Sequence, residues 1–299
     1  MSNYLPTNYL ICSSGPAPLE ALPALVARDS PVFFGISLSG VGEPLKAPRK
    51  IVCMRRFVSP SSCWSPDLMP TIPILPNAYE GPPNIDRSRI PADQMPAFLH
   101  ILTLLANLAV YERRLLSAVY LYQYSTQAAR EITDFATLEL SLWTTGNWQM
   151  MAARDGALTI YHFGSTIDGI KSSLPSCAAL NAHVDHQKIR AACKLFKARF
   201  PGDRAIRHVS AHVADFSKTI AEQASHAVKG PFKERFFSSE DPNGTTWLPG
   251  NMNNDTYAVT FEGRAFSYAL NLETVAKLRS LKQDVYSAFE AATISNPKI

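Results

Sequence analysis

The run Arg207-His208-Val209-Ser210-Ala211-His212 sets a guanidinium and an imidazole five positions apart, with a second imidazole directly after the Arg. A guanidinium is a planar cation that stays charged, and an imidazole exchanges its proton near neutrality. Acid-base chemistry beside a fixed positive charge is what such a pair could offer. The same residues carry a second pattern. His208, His212 and Asp215 stand at i, i+4 and i+7, one face of a helix, and could be three ligands for Zn²⁺ or another transition metal. No H-E-x-x-H accompanies them, and a fourth ligand would come from His162, His183 or His186. A plain structural reading stands beside both: Arg207 pairs with Asp155, and His212 is a core histidine with satisfied hydrogen bonds. With 7 His in 299 residues, an Arg and a His at this spacing also arise by chance.

Other chemistry has less support. The Gly-rich piece Gly35 to Gly42 has neither a P-loop Lys nor G-x-S-x-G spacing, so it carries no catalytic role. No strained nucleophile turn points to a Ser/His/Asp triad. The five cysteines, Cys12, Cys53, Cys63, Cys177 and Cys193, form no C-x-x-C pair and have no His partner at zinc-finger spacing. That usage fits a reducing compartment. A net charge of +4 suits an anionic partner without requiring one. The densest basic stretch, Arg49-Lys50 through Arg55-Arg56, reads as solvated surface. No nucleotide cofactor or metal is indicated.

The elements that must position these residues divide the chain in two. Sixteen of the 22 prolines precede residue 100, so residues 1–92 read as a Pro-rich, irregular segment. Pro31 to Leu38 and Lys50 to Met54 are its candidate short strands. Residues 93–299 read as mainly helical, beginning with Asp93 as an N-cap. A first helix is apolar nearly all round, through Phe98, Ile101, Leu105 and Leu108, and its pattern continues to Leu121. A second runs from about Thr137 to Lys171, with Trp148, Met151, Ala152, Asp155, Leu158 and His162 on one inward face. Leu174-Pro175 closes it. A third spans Asp185 to Arg199, with Ile189, Ala192, Cys193 and Phe196 on its apolar side. After the turn at Phe200 to Asp203, a fourth capped by Asp203 extends to about Ala227 as the antiparallel partner of the third. A β-hairpin near 256–270 turns at Glu262-Gly263-Arg264. A last helix carries Val275, Leu278, Leu281, Val285 and Phe289 on one face.

The N-terminus has no basic region followed by a clean apolar run, which predicts no signal peptide. The longest apolar stretch, Phe98 to Tyr111, stops at Glu112-Arg113-Arg114 and reads as too short to span a bilayer. A cytoplasmic chain without a membrane partner is the expectation.

Arg207, four residues and His212, with polar His208 after the Arg and a tight turn before the helix, resembles the signature of the HEPN superfamily (higher eukaryotes and prokaryotes nucleotide-binding). The stretch from Trp148-Gln149-Met150-Met151 to Phe289 is also similar to a bacterial group, which implies an architecture and no activity. The resemblance implies an up-and-down helical bundle that forms a homodimer with two motifs facing each other. It also implies a metal-independent RNase in a bacterial stress or defence setting. In it, His212 would be general base or acid toward the ribose 2′-hydroxyl or leaving oxygen, Arg207 the phosphate clamp, and His208 an accessory polar residue. Asp155 joins them on the reading of the residues, as an acid orienting Arg207 or a motif His. Many members of the superfamily have no nuclease activity. RNase or RNA binding therefore stands against a non-catalytic dimerisation or interaction module, for which the Pro-rich segment would be the contact surface.

Overall fold

A computed structural model describes residues 81–132 and 138–294. The candidate strands and the Gly-rich piece before residue 80 lie outside them, as do Cys12, Cys53, Cys63 and the basic stretch at Arg49 to Arg56.

The fold is mainly helical with small β-sheets. Two long helices, α1 (Met95–Arg130) and α2 (Leu138–Ser173), pack along each other and form its axis. Each has 36 residues, about 54 Å at 1.5 Å per residue. Asp93 does not cap α1: it lies in the preceding 3-10 turn, Ala92–Gln94, and the N-cap is Gln94. The Gln94 side chain accepts instead from the Ala179 N–H at 2.9 Å.

The charges at Glu112-Arg113-Arg114 do not end α1. Glu112, only 6% exposed, accepts from Arg279 Nε and pairs with Lys282 Nζ, both at 2.7 Å. Arg114 pairs with Asp155 on α2. Arg113 Nε donates to Ala109 O at 3.4 Å, and α1 runs on through these charges; by length and composition it is long and apolar enough to cross a membrane. The expectation that its apolar stretch is too short is corrected on that point.

The buried face of α2 is Ala152, Ala153, Gly156, Ala157, Ile160, Phe163 and Ile167; of the face predicted only Ala152 is buried. Met151 is 62% exposed and His162 is exposed, because close approach to α1 selects the small residues one position along. Gly164 lets the Phe196 ring lie against the α2 backbone, where a Cβ would collide with it.

Leu174–Ser176 forms a 3-10 turn that ends α2, and a single turn α3 (Ala178–Asn181) follows. Then α4 (His186–Arg199) starts where Asp185 accepts from the Gln187 and Lys188 N–H groups. It buries Ile189, Ala192, Cys193 and Phe196, as its periodicity predicts. Next, α5 (Asp203–Phe216) begins after Gly202, which is the N-cap at φ 82°, so Asp203 stands inside the first turn. The expected helix to Ala227 is broken. Thr219 and Glu222 form a capping box that starts α6 (Ile220–His226) afresh. Nor do α4 and α5 form a pair: α5 packs mainly on α2, and α4 packs on both α7 (Leu272–Ser287) and α2.

Between α6 and α7 lie two small antiparallel ribbons, β1 (Val228–Lys229) with β4 (Thr245–Thr246), and β2 (Phe232–Glu234) with β3 (Phe237–Ser239). The expected hairpin is β6 (Thr256–Phe261) with β7 (Arg264–Ala269), and β5 (Asn251–Asn253) adds a third strand beside β6. Glu262 and Gly263 both have positive φ, 50° and 74°, which suits the twist of a two-residue hairpin turn. The outer face of β6 is covered, so Thr256 to Thr260 are all buried instead of alternating.

The domain's packing begins ahead of Asp93. Ile85 and Ile90 are buried, Asp86 N donates to Ala292 O at 3.0 Å, and Ile294 N donates to Asn84 O at 3.0 Å. In α7 the predicted apolar face is buried, and Phe289 is buried just beyond the helix end.

Candidate functional site

Helix α5 lies across α2, with Ile206 and Val209 as its buried anchors. Arg207, between them, is half-buried and leans back onto α2. Its Cζ sits 5.3 Å from the centre of the Tyr161 ring, and its Nε is buried without a hydrogen-bond partner. No carboxylate lies within ion-pair distance of Arg207 among the described residues.

Asp155 is not its partner. The Asp155 carboxylate accepts from Arg114 on α1, with Nε at 2.9 Å from Oδ1 and 3.2 Å from Oδ2, and a further bond from the Arg114 Nη2. It therefore holds α2 to α1. The expectation that Asp155 orients Arg207 or a motif histidine is corrected by this pairing.

His208 is half-buried in a cluster of rings. Its ring centre is 5.2 Å from Phe216, 5.3 Å from Phe261 and 5.2 Å from His212. His226 completes the cluster, stacked on Phe261 at 5.0 Å, and its Nδ1 accepts from the Glu262 N–H at 3.3 Å.

His212 stands at the outer edge of this cluster. Its backbone (φ −127°, ψ 26°) leaves the helical range and bends α5 there. Its side chain is 43% exposed, and its Nδ1 lies 3.5 Å from Oδ2 of Asp215. Asp215 is also paired with Lys218 Nζ at 2.8 Å, and hydrogen bonding to that lysine is the main cause holding its carboxyl below the usual range. A carboxylate at Nδ1 favours the tautomer that carries its proton there and leaves Nε2 to accept one. Asp215 thus occupies the orienting position that sequence reasoning gave to Asp155. The signal was its place three residues beyond His212, one helical turn along.

On a regular helix, residues five apart lie about 140° apart around the axis. Arg207 accordingly faces α2 while His212 faces outward, with His208 between them. The metal pattern does not assemble. Among the described residues, no group of three or more His, Cys, Asp or Glu side chains could hold a metal ion. His208 is enclosed by phenylalanines, and His162 stacks on Tyr111 at 5.8 Å. Cys177 and Cys193 are free and buried, and burial pushes the Cys193 thiol up, away from nucleophilic use.

Comparison with known proteins adds no relative: no family model, no curated protein and no solved structure matches this chain.

Proposed function

We propose that the α5 face binds an RNA phosphodiester in the manner of a HEPN-type domain, with metal-independent cleavage as the activity His212 would supply. The observation that carries this reading is the pairing of one exposed imidazole with one acid, Asp215 at Nδ1, on the same helix as a guanidinium without a carboxylate partner. In this mechanism His212 Nε2 takes the proton of the ribose 2′-hydroxyl, whose oxygen attacks the adjacent phosphorus. The 5′-oxygen of the next nucleotide leaves with a proton, and the product ends in a 2′,3′-cyclic phosphate. Arg207, which faces α2 beside Tyr161, would have to swing off that ring to serve as the cation for the phosphate as negative charge grows on it, and His208 holds the His212 ring by contact. A homodimer that sets two α5 helices face to face would supply the second proton-transfer group and the groove for a strand.

A second reading has its own observation. The buried Nε of Arg207 and its contact with Tyr161 suit a residue that fastens α5 to α2, in a helical interaction module with no chemistry. One experiment separates the two. Single-stranded RNA labelled at its 5′ end is incubated with the full chain in EDTA, and the ends are analysed. Cyclic phosphate ends that disappear with His212→Ala, at an unchanged melting temperature, support cleavage. Intact RNA, with Arg207→Ala melting several degrees lower, supports the interaction module.

A further inference from the structure

We propose that a cleft between the α4–α5 turn, β7 and α7 binds a small zwitterion of the α-amino acid type, its carboxylate at Arg199 and its ammonium at Asp203. The cleft has a volume of about 250 Å³, and neither Arg207 nor His212 lines it. Ligand pockets commonly run from roughly 300 to 1,000 Å³, so this one suits a single small molecule.

Its polar groups select the charge pattern. Arg199 is the last residue of α4 and Asp203 the first of α5, so one short turn presents both to the same cleft. One guanidinium nitrogen of Arg199 donates to the Lys277 carbonyl at 3.1 Å, which holds the group at the cleft wall. Among the described residues no carboxylate lies within ion-pair distance of Arg199 and no side-chain cation within that distance of Asp203, whose carboxyl is held by the Arg204 backbone N–H and feels the Arg204 charge nearby. The other two cations are already engaged, Lys277 by Glu273 at 2.8 Å and Arg235 by Asp255 at 3.5 Å. A cation and an anion without an ion-pair partner, on one turn, together match a ligand carrying one of each.

The same inventory argues against a phosphate. Asp203 would repel it, and a single unpaired guanidinium is a weak match for a dianion. Asp203 is half-buried, and burial is the main cause raising its carboxyl from its ordinary value, a cost that a bound ammonium would relieve. Ala157, Ile160, Phe200 and Ile206 line the remainder, so an aliphatic side chain has an apolar wall to meet. Nearby hydroxyls do not compete: Thr274 donates to Ala269 O at 2.7 Å and Ser267 to Glu234 at 2.8 Å.

The test is thermal unfolding of the full chain at pH 7 with four probes: L-leucine, 4-methylpentanoate, 3-methylbutylamine and inorganic phosphate. At about ten times its Kd, L-leucine should raise the melting temperature by roughly 2–4 °C, because a ligand that binds only the folded state stabilises it. The fragments lacking the ammonium or the carboxylate should give smaller shifts, and phosphate none. Arg199→Gln and Asp203→Asn should each remove the L-leucine shift, while Arg199→Lys, which keeps the charge, should retain part of it. No shift with L-leucine overturns the proposal, as does a shift that persists in folded Arg199→Gln. A shift with phosphate equal to that with L-leucine overturns the zwitterion assignment.

Discussion

Asp215 Oδ2 lies 3.5 Å from His212 Nδ1, across one turn of α5 and at its exposed edge. The pair is open to solvent on both sides, with side-chain exposures of 43% and 56%. An exposed ion pair adds little to stability, so its use would be to orient the imidazole.

If the α5 face cleaves RNA, loss of the imidazole in His212→Ala should lower the rate by roughly 10²–10⁴-fold. Asp215→Asn should cost less, because the ring remains, and should leave the melting temperature unchanged within error. Rates for the two variants, read with the same labelled RNA, decide this. Equal activity in wild type and Asp215→Asn would remove the orienting role.

Asp155 should be dispensable for any chemistry on α5, since its carboxylate is taken by Arg114 at the α1–α2 contact. Asp155→Ala should lower stability by about 0–1 kcal/mol, as half-exposed pairs do, and leave RNA binding or cleavage as in wild type. A large functional loss without unfolding would return Asp155 to the site.

Glu112 should matter far more to folding. Glu112 and Lys282 are 8% and 6% exposed in their side chains and lie 2.7 Å apart, joining α1 to α7. Glu112→Ala leaves Lys282 with a buried, uncompensated charge, and the expected cost is about 3–5 kcal/mol in urea unfolding. Replacing both, as Glu112→Leu with Lys282→Met, should recover most of that loss.

Gly164→Ala should destabilise by about 1–3 kcal/mol, because the added methyl meets the Phe196 ring at the α2–α4 contact. Gly146, where a Cβ would meet nothing within 4 Å, is the control and should tolerate Ala. Denaturant midpoints for the two variants give the comparison.

Stability should also carry a signature of Asp203. Its carboxyl is raised by burial, so the folded chain holds that proton more tightly than the unfolded chain does. The contribution is therefore most favourable below the unfolded value near 3.8 and declines as pH rises through the folded value, after which it is level. Asp203→Asn cannot ionise there. It should match wild type at pH 3 and melt higher than wild type at pH 7, and a variant that melts lower at pH 7 would contradict the burial argument.

What was legible in the residues was what short-range spacing controls. Four apolar positions at three- and four-residue steps set the buried face of α4, and Glu262-Gly263 set the hairpin turn through its two positive φ angles. The break after Phe216 was also legible, in Thr219 and Glu222 at capping-box spacing, although periodicity carried the expected helix through it.

By themselves, then, the residues determine the mainly helical course of the domain and the hairpin turn, because those depend on groups a turn or less apart, while the caps expected at Asp93 and Asp203 fell to Gln94 and Gly202. They also put Arg207, His208, His212 and Asp215 on one helix. Tertiary structure alone decided that Asp155 goes to Arg114, that Arg207 lies on Tyr161, that α4 and α5 both turn to α2, and that Glu112 is sealed against Lys282. The physical reason is that a charged group buried or half-buried takes whichever counter-group the packing of distant helices brings within a few ångströms, and sequence separation carries no information about that distance.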